Sequence, residues 1–158
     1  MRNSATLTIE ADTTVLFELG KSLRIGEQSN PGFITVMGEP DGPVYFGGTD
    51  AVEGWWRGVF IGNSNTPYNV INHLTIAHGG SNDWGTFPAA NLHMTSNWGA
   101  TRIRLNGVHL QDGYQAGLFL SASNVNIDEC QDFTFSGFAQ EDEVIGNVDL
   151  FESACGTE

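Results

Sequence analysis

The feature that most constrains this chain is a three-residue unit with apolar outer members, repeated from one end to the other. Examples are Leu7-Thr8-Ile9, Leu23-Arg24-Ile25, Ile34-Thr35-Val36, Val44-Tyr45-Phe46, Val59-Phe60-Ile61, Leu74-Thr75-Ile76, Leu92-His93-Met94, Ile103-Arg104-Leu105, Leu118-Phe119-Leu120 and Val125-Asn126-Ile127. Side chains alternate along a strand, so the outer members of each unit share one face and the middle residue points away. Most middle residues are polar, which predicts strands with one buried and one wet face. The units fall into three registers: Val44, Leu74, Val108, Phe133; Val59, Leu92, Leu118; and Ile103, Val125, Val148. Their shortest steps are 22 to 26 residues, and the longer ones carry loop insertions.

Three short strands per repeat, joined at Gly and Asn, predict an all-β right-handed parallel β-helix of about five to six three-stranded rungs. The chain reads as one such domain over 1–158, with the alternative that it is a fragment of a longer solenoid. An antiparallel sandwich also has many short strands, but Asn106-Gly107 and Asp41-Gly42 are its only candidate hairpin turns. The largest insertion runs from Gly79 to Ala90 and a second from Gly47 to Trp55. Residues 1–6 and 151–158 are placed to cap the ends, yet neither reads as an amphipathic helix, and an open end invites stacking.

Charge narrows the partners. Asp and Glu number 19 against 6 Lys and Arg, a net charge of −13, and Lys21 is the single lysine. Nucleic acids and anionic membranes both require a basic footprint, so neither is an expected partner. No apolar run approaches the roughly 20 residues needed to span a bilayer, and Met1 opens no signal segment. Cys130 and Cys155 either close a loop with a bridge worth about 3 kcal/mol, or leave Cys130 half-buried and Cys155 unpaired.

The stretch from Leu23-Arg24-Ile25 through Ile34-Thr35-Val36-Met37-Gly38, Pro43-Val44-Tyr45-Phe46 and Trp56-Arg57-Gly58-Val59-Phe60-Ile61 resembles the opening rungs of bacterial right-handed parallel β-helix proteins. So does the run from Asn63 to Gly80. These belong to the pectate-lyase-like superfamily, in its surface-protein and lipoprotein branch, and the resemblance covers most of residues 6–136. It implies an extracellular or cell-envelope location in a bacterium and contact with carbohydrate.

The candidate chemistry is sparse. A polysaccharide lyase needs a cationic clamp on a uronate and a base; Arg102 and Arg104 are the only close pair of cations, and they are equally placed to meet Asp128 on the next rung. A glycoside hydrolase needs two carboxyl groups at a set separation. His78-Gly79-Gly80 followed by Arg102-Ile103-Arg104 matches the order of a polygalacturonase-type site, but the aspartates are missing and Gln111-Asp112-Gly113 comes too late. His73, His78, His93 and His109 lack metal-ligand spacing, so no metal site is expected. Calcium is the one cation the Asp- and Asn-rich turns would suit. Ice binding would need a flat array of Thr, which Tyr45, Thr75, His109 and Thr134 do not make.

The strongest candidate is aromatic. The middle residues Phe60, His93 and Phe119 of the second register should stack about 4.8 Å apart, with Trp55, Trp84 and Trp98 in adjoining loops. Exposed, the column would hold a sugar ring; covered by the inserted loops, it is a satellite core. The expected function is therefore a non-catalytic extracellular or cell-surface module that contacts polysaccharide. The alternatives are a polysaccharide-active enzyme, degenerate or not, using Arg102 and Arg104, and a structural module that self-associates through its ends.

Overall fold

A computed structural model describes residues 4–27, 30–81, 87–95, 99–121, 124–138 and 143–156. Thirteen strands and one helix follow in order among them: β1 (Ala5–Glu10), β2 (Thr14–Phe17), β3 (Leu23–Ile25), β4 (Gly32–Met37), β5 (Val44–Gly48), β6 (Val59–Gly62), β7 (Ser64–Ala77), β8 (Ala90–Thr95), β9 (Thr101–Gln111), β10 (Ala116–Leu120), β11 (Val125–Gln131), β12 (Thr134–Ser136), β13 (Val144–Gly146) and α1 (Val148–Cys155). The fold is all-β, and every pairing between these strands is parallel.

Two sheets form where three were expected. One has the order β3-β6-β8-β10-β13; the other joins the remaining eight strands. The second, larger sheet has two halves because β7 and β9 run unbroken through a bend. His73 and Gly107 turn that corner with positive φ, as does Asp132 in the next layer. Residues before this bend pair β1-β4-β7-β9-β11, and residues after it pair β2-β5-β7-β9-β12. Two of the three registers read from sequence hold in the pairing: Val44 opposes Leu74 and Leu74 opposes Val108, while Val59 opposes Leu92 and Leu92 opposes Leu118. The third is corrected. Ile103 opposes Ile127 rather than Val125, and Val148 opens a helix. Asn147 caps that helix by accepting from the Leu150 N–H, and Asp149 sits in its first turn. Both favour helix over strand.

The inward residues of both sheets make one core, with Ile34, Val36, Val44, Phe46, Val59, Ile61, Leu74, Ile76, Leu92, Ile103, Leu105 and Leu118 essentially inaccessible. Trp56 is buried among them; its Nε1 donates to the Ala77 carbonyl at 2.7 Å and its ring stacks on Phe17 at 4.1 Å. Helix α1 lies over the last strands, where Phe151 packs on Phe133 and Phe135 at 5.3 and 5.7 Å. The Cys130–Cys155 bridge forms and ties α1 to β11. It closes a separation of 25 residues, so replacing both cysteines by Ser should cost about 3 kcal/mol by chain-entropy arguments. Urea unfolding of the double variant against the oxidised protein measures it; an unchanged midpoint would mean that Phe151 alone holds the helix.

Candidate functional site

The aromatic column assembles in the predicted register but is not an open strip. Arg24, Phe60, His93, Phe119 and Ile145 oppose one another along the outer face of the smaller sheet. His93 packs against Phe60 at 6.1 Å and Phe119 at 5.7 Å. Phe87, from the insertion, lies across both at 6.3 and 5.3 Å, and the Arg24 guanidinium sits 5.9 Å from the Phe60 ring. As a result Phe60 is 1% exposed and His93 0%. Of the two readings open from the sequence, an exposed strip or a covered satellite core, the covered one describes these two side chains. Burial pushes the His93 pKa down to about 3, against a smaller upward effect of a backbone hydrogen bond at Ala90, so the ring is neutral at ordinary pH. Trp84 and Trp98 lie outside the described residues, and Trp55 donates its Nε1–H to Thr49 Oγ1 at 3.0 Å.

The arginine pair lies on the outer face of the first half of the larger sheet. Arg102 binds Asp128 through Nε at 2.5 Å, and Arg104 donates to the Pro67 carbonyl at 3.0 Å. Each guanidinium thus has a protein acceptor in place of a shared uronate. Among the described residues, no three His, Cys, Asp or Glu side chains gather closely enough to hold a metal ion.

A polar cluster lies on the outer face of the second half, around the outward row that the sequence rejected as an ice-binding array. Tyr45, Thr75, His109 and Thr134 oppose one another there, with Gln111 opposite Ser136 beside them. Thr134 Oγ1 and Ser136 Oγ bracket the His109 ring, at 2.7 Å from Nδ1 and 2.9 Å from Nε2. Gln111 donates to Asp112 at 3.0 Å, and His78 Nε2 lies 3.9 Å from the same carboxylate. Tyr45 lies flat along its strand because Gly47 leaves room: a Cβ there would sit 2.5 Å from the ring. Partial burial, and then the negative charge of Asp112, raise the Tyr45 pKa.

The two glycine motifs that resembled enzyme signatures have a structural cause. Asn91, fully buried on β8, donates from Nδ2 to the carbonyls of Ile76 and Gln111 at 3.0 and 2.9 Å. A Cβ on Gly79 or Gly113 would stand 2.7 or 2.6 Å from Asn91 Oδ1. His78 and Asp112 precede these glycines with positive φ. His78-Gly79 and Asp112-Gly113 are therefore equivalent corners of adjacent layers, shaped to admit one asparagine.

No helix among the described residues is long and apolar enough to cross a membrane. No family model, curated protein or solved structure matches the chain.

Proposed function

We propose that this chain is a right-handed parallel β-helix module of an exported bacterial protein, non-catalytic, that holds carbohydrate on its lateral surface. The observation that carries the reading is Tyr45, its phenol laid over Gly47 beside Thr75 and within the field of Asp112, with Gln111, His109 and Ser136 on the same outer face. A flat ring flanked by carboxylate, carboxamide and hydroxyl groups matches what a pyranose offers: an apolar face and a rim of hydroxyls. The pectate-lyase-like resemblance supports the same reading, and the disulfide supports an oxidising compartment. The lyase alternative gains nothing from Arg102 and Arg104, whose guanidinium groups are already engaged.

The test is a glycan array and polysaccharide pull-down on the purified chain, with and without calcium. Tyr45→Ala should weaken binding about tenfold or more with little change in melting temperature. Phe60→Ala should instead cost about 3 kcal/mol of stability, as a buried aromatic does. A blank against a broad panel, or binding that ignores Tyr45→Ala, would sink the glycan reading.

A further inference from the structure

The outer face that carries Tyr45 is charged in one sense only. Its two outward rows, Thr14 to Thr134 through Tyr45 and Leu16 to Ser136 through Gln111, contain no lysine or arginine. Arg102 and Arg104 stand on the other half of the sheet, held by Asp128 and the Pro67 carbonyl. His109 has a hydroxyl at each ring nitrogen, from Thr134 and Ser136. Asp112 follows Gln111 at the corner, and its side chain is 41% exposed. It accepts from Gln111 Nε2 at 3.0 Å. A carboxylate offers about four acceptor positions, so a further donor has room. The charge of Asp112 also reaches Tyr45, where it adds to burial in raising the phenol pKa.

We propose that the glycan held on this face carries free amino groups, one sugar unit resting on Tyr45 while the ammonium of the next meets Asp112. This rests on the carbohydrate reading above and names the class of sugar. Tyr45 opposes Thr75, and Thr75 opposes His109 on the strand that leads to Asp112. The ring and that strand are therefore two layers apart, about 9–10 Å, which suits consecutive units of a chain running across the strands. An ammonium is favoured at both places. The phenol ring presents a negative face, and the carboxylate accepts charge-assisted hydrogen bonds. A uronate finds neither. It meets Asp112 as a like charge, under a net charge of −13, with no cation in either row to offset it. The face thus selects hexosamine polymers over polyuronates.

Calorimetric titration with a glucosamine tetramer, its N-acetylated counterpart and a galacturonic acid tetramer tests this, because acetylation removes the charge and keeps the ring. The glucosamine tetramer should bind about fivefold or more tighter than the acetylated one, and the galacturonic acid tetramer weakest. Asp112→Asn keeps the shape and suits the positive φ of that corner. It should erase the preference while leaving affinity for the acetylated tetramer unchanged. Glu10→Gln, exposed on the first strand, removes the same charge elsewhere and should change little. Equal losses at Asp112→Asn and Glu10→Gln would overturn the proposal, since overall charge alone would then attract the polycation. A lysine tetramer bound as tightly as the glucosamine tetramer would overturn it in favour of a peptide. Equal affinity for the two glucosamine forms, still lowered by Tyr45→Ala, would overturn the ammonium and leave the glycan reading standing. Only a blank across the whole glycan panel would remove both.

Discussion

Replacing Asn69 by Ala should lower the unfolding free energy by about 3–4 kcal/mol, although no apolar contact of note is lost. Between Asn65 and Val70 strand β7 leaves its register against β9, and the chain bulges outward through Thr66, Pro67 and Tyr68. The buried Asn69 side chain fills the gap in the ladder. Its Oδ1 accepts from the Ile34 N–H at 3.1 Å, and its Nδ2 donates to the carbonyls of Ser64 and Arg102 at 2.6 and 2.8 Å. One carboxamide thus connects β4, β7 and β9 where the backbone does not.

Removing it leaves those groups buried and unpaired, at about 1–3 kcal/mol each, reduced where water can enter beside the bulge. Asn69→Asp should also destabilise, since a carboxylate would face two carbonyls. Tyr68→Ala, on the exposed tip of the same bulge, should stay within about 0.5 kcal/mol. Urea unfolding of the three variants decides the matter. A loss at Asn69→Ala no greater than at Tyr68→Ala would mean that the ladder closes without the side chain.

The second large effect is on acid stability. Folded, His93 takes up its proton only near pH 3, whereas unfolded it does so near the ordinary value of about 6.5. Between those values the unfolded chain binds one more proton than the native chain, so acid favours unfolding. The contribution of neutral His93 is complete above about pH 6.5. It is lost as pH falls, at about 1.4 kcal/mol per unit and about 4 kcal/mol in all by pH 3. His93→Leu, placed between the same Phe60, Phe119 and Phe87 rings, should remove one proton from the pH dependence of stability. An identical acid limb in wild type and variant would show that His93 becomes protonated without unfolding.

Much of the fold was legible in the sequence because its repeating unit is local. Apolar residues two apart declare a strand and its inner face, and the spacing between units declares which strands meet; Val59, Leu92 and Leu118 pair as read. The third register failed for an equally local reason. Val148-Asp149-Leu150 has strand alternation over three residues, but Asn147 and the apolar pair Leu150–Ala154 belong to a helix, and three residues are too few to separate the periods.

The candidate site was less legible. The sequence placed Phe60, His93 and Phe119 on one outer face. Whether that face was wet depended on Phe87, 27 residues beyond Phe60, folding back over it. No periodicity encodes such a contact. The cluster around Tyr45 was half legible: the row Tyr45, Thr75, His109 and Thr134 follows from the register, but Gln111, Asp112 and Ser136 are ordinary polar residues one by one, and nothing local marks them as its neighbours. The one local clue was Gly47, whose missing Cβ lets the phenol lie flat.

What the sequence by itself determined, Val148–Leu150 apart, was which segments are strands, their inward face and their parallel pairing, since these follow from alternation and repeat length. Only the tertiary structure decided what covers each face. It buried Phe60 and His93 of the aromatic column beneath an insertion, placed a disulfide-tethered helix over the last strands, and left Tyr45 partly accessible beside Asp112. Burial of an outward residue is set by chain segments distant in sequence, and strand periodicity carries no information about where those segments come to rest.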